Sequence, residues 1–234
     1  MSPATPRSGL IVLGEALAAL VPDHHQPVRR SMALQRFSVG AEINAAVAVS
    51  RLGLSSAVIS RVGDDLIGRA IIDDLRHEGV DTSRIEIDPE GFTGLLIREN
   101  PAPGLAEVAY YRQGSAATAL REDMVDQSVL GGFQMALVSG ITPALGQSAA
   151  ATTMAFLTQA KAAGLRVCVD MNYRAKLWSG EQAGPVLREM AEMADIVVGG
   201  ELEWELAFGI SSLDQLPLPA STLAVMTRGD AAVA

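Results

Sequence analysis

Apolar positions along this chain follow two rhythms. "LIVLG" at 10–14 is an unbroken apolar run closed by glycine, the pattern of a strand covered on both faces. Shorter runs at 17–21 and 33–37, on either side of the polar stretch "PDHHQPVRRS", predict two short strands. Residues 41–52 keep a helical period, with Gly53 placed as a left-handed stop. "SSAVISRVG" (55–63) predicts a second core strand. Residues 64–79 follow as an amphipathic helix, apolar at 66, 67, 71, 72 and 75 and closed by Gly79. Residues 93–99 and 107–112 predict a hairpin around the loop "NPAPG".

Beyond residue 133 strands and helices alternate regularly. Strands are predicted at 134–140, 165–170, 195–199 and 221–227, with helices over 147–163, 181–193 and 201–207 between them. Strands separated by helices of ten or more residues imply crossover units and a mainly parallel sheet, an α/β fold in one domain over 1–234. The strand pairs near 15–38 and 93–113 break that alternation and are expected to form a separate small β-sheet, a flap over one end of the main sheet.

Composition narrows the function. Hydrophobic residues make up 49% and charged residues 19%, enough apolar content for a large core. A net charge of −9 argues against nucleic-acid binding, which needs clustered cations to displace counterions. Any anionic ligand must then be held by local cations against an unfavourable overall field. The single cysteine, Cys168, lies in the strand-like "LRVCVD" and is read as a buried structural thiol. With no intramolecular disulfide possible and no apolar run near the ~18 residues that span a bilayer, a cytoplasmic protein with no membrane partner is expected. His24, His25 and His77 lack metal-ligand spacing, and neither a P-loop nor a dinucleotide-binding glycine motif occurs.

In a parallel sheet, ligands bind beyond the carboxyl ends of the strands. The residues there include Gly14-Glu15, Ser139-Gly140, Asp170 through Arg174, Gly199-Gly200-Glu201 and Thr227-Arg228-Gly229. Extended backbone would put Asp170, Asn172 and Arg174 on one face. All three tyrosines of the chain neighbour arginines, in "YYRQGSA" (Tyr110, Tyr111, Arg112) and "NYR" (Tyr173, Arg174). A phenol beside a guanidinium offers donors, positive charge and a flat surface, the parts of a site for a small anionic, hydroxylated molecule.

Residues 39–82, with Gly40, Asn44, Gly53 and Gly63 at matching spacing and "VGDD-IG" continuing the pattern, resemble the amino-terminal signature of the ribokinase-like (PfkB) carbohydrate kinases. "GFTGLLIREN", "YYRQGSA", "SGITPAL" and "DMNYRAKLW" are similar in order and spacing to the 2-keto-3-deoxygluconate kinase branch of that family. The resemblance implies a ribokinase-like fold and ATP-dependent phosphorylation of a sugar acid with Mg²⁺. It implies that Gly40, Asn44, Tyr110, Tyr111, Arg112 and Arg174 bind the substrate. On the nucleotide side it implies Asn172, Arg174, Glu203, Thr227 and Gly229, with Glu203 organising magnesium through water. It further implies a homodimer formed flap to flap, using apolar flap residues such as Leu17, Leu20, Leu95 and Ile97.

The chain also departs from the family's pattern. Val39, Leu96 and Gly200 stand where the family usually has a glycine, an aromatic and an asparagine. The Gly-Ala-Gly-Asp segment that carries the family's general base would follow Ala234, so no catalytic base is named. The resemblance implies that Asp170 serves in positioning or metal organisation, and these 234 residues alone are expected to bind sugar acid weakly, without kinase turnover and with the last strand's edge open. A catalytically inactive sugar-acid-binding homologue and a neutral-sugar kinase such as a fructokinase remain the alternative readings.

Overall fold

The computed structural model describes residues 8–23, 26–102 and 105–228. Their centre is a seven-stranded sheet in which every pairing is parallel. It contains β1 (Leu10–Leu13), β4 (Ser56–Gly63), β5 (Ile85–Asp88), β8 (Met135–Ser139), β9 (Arg166–Asp170), β10 (Ile196–Gly200) and β11 (Leu223–Thr227), in the order β11-β10-β9-β8-β1-β4-β5. Alternation in β1 explains how one strand serves two cores. Leu10 and Val12 pack with Ile43 of α1 (Ala41–Arg51) and Ile71 and Leu75 of α2 (Leu66–His77). Ile11 and Leu13 join the opposite core. That side takes Leu130 of α3 (Gln127–Leu130), Phe156 of α4 (Gln147–Ala162), Leu187 of α5 (Gly180–Glu192) and Trp204 of α6 (Glu201–Phe208). Both faces of β1 are covered, so its sequence is apolar throughout.

The predicted strand pairs form a second, four-stranded sheet. It consists of β2 (Leu17–Pro22), β3 (Leu34–Val39), β6 (Leu95–Ala102) and β7 (Leu105–Tyr111), in the order β3-β2-β6-β7, with β2 and β6 parallel and the outer pairs antiparallel. Arg36 of this flap pairs with Asp74 of α2 at 2.8 Å, fastening the two sheets together. Asp65 caps α2 by accepting from the Gly68 amide at 2.7 Å. It also accepts from the Thr93 amide at 2.7 Å and the Thr93 hydroxyl at 2.9 Å, anchoring the chain just before it enters β6.

Three readings change. Residues 85–88 form a strand that the apolar pattern does not announce: "IEID" has one buried apolar residue, Ile85, and sits at the sheet edge. The predicted "NPAPG" loop is shorter, because β6 runs to Ala102 and β7 starts at Leu105, and the two residues between them lie outside the described residues. Among the flap residues expected to be exposed, Leu17 is buried and Leu20, Leu95 and Ile97 are half-buried; exposed instead are Met32, Leu34 and Phe37 on and before β3, and Tyr110 and Tyr111 on β7. The histidine pair 24–25 lies outside the described residues.

Candidate sugar-acid and nucleotide sites

A cleft of about 1010 Å³ opens between the flap and the carboxyl end of the main sheet. One wall is Val108–Tyr110 of β7 with Arg112 and Gln113 just after it. The other walls are Ile141, Ala144 and Leu145 after β8 and Arg174–Leu177 after β9, with Thr118 between. Tyr110, Arg112 and Arg174, all expected from the sequence to bind substrate, meet here. Lys176 joins them, one of only two lysines in the chain. The cleft lining includes no carboxylate.

The cations differ in how they are held. Arg112 is only 8% exposed, and its guanidinium forms an ion pair with Glu15, itself 3% exposed. Glu15 also accepts from the Ser115 hydroxyl at 3.1 Å. Gly94 makes this pair possible: a Cβ there would stand 2.5 Å from a Glu15 carboxylate oxygen. Burial pushes the Glu15 carboxyl above its ordinary range, opposed by the charge and hydrogen bonds of Arg112 and by Ser115. Arg112 also lies 5.5 Å from the centre of the Tyr110 ring, and the Lys176 ammonium lies 5.9 Å from the same ring. Lys176 Nζ donates to the Val108 carbonyl at 2.9 Å, a link between the loop after β9 and the flap. Arg174 is exposed, and its side chain makes no hydrogen bond or ion pair among the described residues.

Several predicted substrate residues take other positions. Alternation along β7 turns Tyr111 away from Tyr110, and it lines an adjoining depression of about 510 Å³ with Val28, Glu99 and Glu107, which shares Val108, Ala109 and Lys176 with the cleft. Gly40 does not line the cleft; a Cβ there would collide with the Glu15 carbonyl, so close backbone packing accounts for the glycine. Asn44 sits exposed in the first part of α1, also outside the cleft lining. Tyr173 is structural, its hydroxyl donating to the Trp178 carbonyl at 3.2 Å while its ring packs on the core.

Beside the cleft, a group of carboxylates gathers at the carboxyl end of the main sheet: Asp170 of β9, Glu42 of α1 and Glu203 of α6. Asp170 closes β9, and burial raises its pKa, opposed by a 3.0 Å hydrogen bond from Asn172 Nδ2 and reinforced by the charges of Glu42 and Glu203. The Arg174 charge pulls the same group back down, which places Arg174 within electrostatic reach of both regions. Glu42 is buried and accepts from the Ser139 amide, the Ser139 hydroxyl and Thr142 Oγ1 at 2.6–2.8 Å, tying α1 to the end of β8. Glu203, in the first turn of α6, accepts from the Tyr173 amide at 3.1 Å. A Cβ at Gly200 would stand 2.8 Å from Glu203 Oε2 and 3.7 Å from Thr227 Oγ1, so the bare glycine leaves Glu203 and the exposed Thr227 side by side.

The extended run from Asp170 to Arg174 is not present. Asn172 has φ +34°, the left-handed region, and turns the chain, so that Asp170 and Asn172 meet through their side chains while Arg174 continues into the cleft. Gly229 lies outside the described residues. Cys168 is half-buried, its thiol pushed up to about 11 by burial and by the Asp170 charge, in keeping with a structural role. No group of three or more candidate metal ligands occurs among the described residues, and no helix among them is long and apolar enough to cross a membrane.

Comparison with known proteins identifies the family and the fold. The chain is 32% identical over 222 residues to the 2-dehydro-3-deoxygalactonokinase of Haloferax volcanii, covering 94% of this chain and 68% of the relative. It is 31% identical over 229 residues to the 2-dehydro-3-deoxygluconokinase of Thermoproteus tenax, covering 96% of this chain and 69% of the relative. It thus spans about two thirds of the length of these two relatives. Among solved structures, a PfkB protein from Polaromonas sp. JS666 superposes with a TM-score of 0.88 at 28% identity, covering 97% of this chain and 78% of that one. The pfkB carbohydrate kinase family matches residues 7–232, and with its ribokinase-like fold this chain belongs to that family.

Proposed function

We propose that the protein is an ATP-dependent sugar-acid kinase whose substrate is 2-keto-3-deoxygluconate (2-dehydro-3-deoxygluconate) or its galactonate epimer, acting in the cytoplasm. The observation that carries the reading is the cleft beneath the flap, where Arg112, Arg174 and Lys176 line the walls and no carboxylate does. On a chain of net charge −9, such local reversal of sign favours an anionic ligand. A guanidinium fork suits a carboxylate, since it can donate two parallel hydrogen bonds. The Tyr110 ring, Gln113 and Thr118 offer a flat face and hydroxyl partners for the rest of an open-chain or cyclic sugar acid. The names of the two relatives support the same substrate class.

The carboxylate side fits a magnesium nucleotide. Mg²⁺ keeps several waters and needs only one or two carboxylates beside substrate phosphates, so the lack of a three-ligand cluster among the described residues is compatible with it. Glu203 would hold the hydrated ion, with Thr227 beside it to donate to a phosphate. Bound there, Mg²⁺–ATP supplies the phosphoryl group. Arg174 lines the cleft and is within electrostatic reach of Asp170, so it would act on ligands at either site. Asp170 acts in positioning: its carboxylate holds Asn172 at the turn that sends Arg174 to the cleft.

Calorimetric titration tests the reading. The protein should bind 2-keto-3-deoxygluconate at least tenfold more tightly than fructose; equal affinities would remove the sugar-acid assignment. We extend the reading to a homodimer through the flap, supported by exposed Met32, Leu34 and Phe37 on and just before its edge strand β3. Light scattering should give twice the chain mass at micromolar concentration, and a monomer throughout that range would contradict the assembly.

A further inference from the structure

We propose that Lys176 is a specificity-determining residue, which together with Arg174 supplies the net positive charge that selects an acid over a neutral sugar. The inference rests on the sugar-acid reading above and reassigns the charge within it. Arg112 lines the cleft, but its charge is already cancelled. Its buried guanidinium is paired with the equally buried Glu15, in a space kept open by Gly94 and fixed by the Ser115 hydroxyl. A buried ion pair presents N–H groups to a ligand and almost no net field. Arg112 is therefore a preset donor.

The pair also sits at a crossing point. Glu15 lies in the short link between β1 of the main sheet and β2 of the flap, and Arg112 lies where β7 leaves the flap. Holding both together sets the flap's angle over the cleft, a structural task that ties Arg112 down further.

Two uncancelled cations then remain on the cleft walls, Arg174 and Lys176. Neither forms an ion pair among the described residues, and both are exposed. Lys176 is nevertheless restrained. One of its three N–H donors goes to the Val108 carbonyl at 2.9 Å, and the ammonium lies 5.9 Å from the Tyr110 ring centre. Two donors are left for a ligand. Holding the long side chain in place before binding reduces the entropy lost when an anion arrives. The same hydrogen bond joins the loop after β9 to the flap.

The test measures binding of 2-keto-3-deoxygluconate and of fructose to the wild type, Lys176→Met and Lys176→Arg. Lys176→Met should lose about tenfold in affinity for the acid and less than about twofold for fructose. It should also show a shallower fall of acid affinity with added salt. Lys176→Arg, which keeps the charge, should stay within about threefold of the wild type for the acid. An equal loss for both ligands would mean that Lys176 only latches the flap, and no loss for either would mean that it does not reach the ligand; both overturn the proposal. A wild type without acid preference would instead remove the sugar-acid reading, and this assignment with it.

Discussion

Two regions at the carboxyl end of one sheet carry opposite charge. Beneath the flap, the cleft is lined by Arg112, Arg174 and Lys176 with no carboxylate among its lining residues. A few residues away, Glu42, Asp170 and Glu203 gather, close enough for each of the other two to raise the Asp170 pKa. Both regions draw on the same loop after β9. Asp170 belongs to the acidic side, Asn172 turns the chain with its left-handed backbone, and Arg174 and Lys176 emerge on the cationic side. A single turn therefore sorts neighbouring residues between a cation-lined cleft and an acidic group. The chain's net charge says nothing of this arrangement; local placement decides which ligand goes where.

If the two regions are separate in function, mutations in one should spare the other. The largest effect is expected from Arg174→Ala. Losing the only guanidinium in the cleft whose charge is free should cost about 2 kcal/mol or more in sugar-acid binding, roughly thirtyfold, and change fructose binding little. Calorimetry distinguishes this from a general loss of fold, which would weaken both ligands. Glu203→Gln is next. It keeps an acceptor for the Tyr173 amide and removes the charge, so it should weaken Mg²⁺–ATP binding about tenfold and leave sugar-acid affinity within about twofold. A comparable loss of acid affinity would mean the two regions are one site.

The smallest effect concerns stability and leaves both regions intact. Asp65 is a cap shared by α2 and the chain leading into β6. Partial burial works against its charge, but the Gly68 and Thr93 amides and the Thr93 hydroxyl outweigh it and hold the carboxyl below its ordinary range. A depressed folded pKa means stability that is fully present above the unfolded value, near pH 4, and lost as pH falls through the folded value. Asp65→Ala should cost about 1 kcal/mol at neutral pH in a denaturant titration. The gap from wild type should stay constant down to about pH 5 and close below that. A gap independent of pH throughout would mean the carboxylate charge does not contribute.

Much of the architecture is legible in the sequence because its signals are local. Apolar runs such as "LIVLG" and the helical period of 66–75 predict elements that the structure contains, and glycines 53 and 79 fall at helix ends with φ +82° and +76°. The flap follows from strand pairs that break the alternation. β5 escapes because a four-residue edge strand with one buried apolar residue carries almost no periodic signal. In the site, the tyrosine–arginine adjacency draws notice to Tyr110, Arg112 and Arg174, which do meet. Tyr111 is separated from them by strand alternation, a rule that "YYR" already contains once β7 is placed.

What the sequence does not disclose is pairing across distance. Glu15 and Arg112 are 97 positions apart and on different elements, so nothing near either one shows that Arg112 is already neutralised. Lys176 is likewise unremarkable in "RAKLW" until the flap brings the Val108 carbonyl to it. Gly40 stands out by its spacing, yet its reason is the Glu15 carbonyl packed against it.

The most direct measurement is a crystal structure of the protein with 2-keto-3-deoxygluconate bound. The acid should lie in the cleft beneath the flap, its carboxylate between Arg174 and Lys176 and within hydrogen-bond distance of both. An acid seated on the Asp170–Glu203 side, or one in the cleft with its carboxylate turned out to solvent, would contradict it.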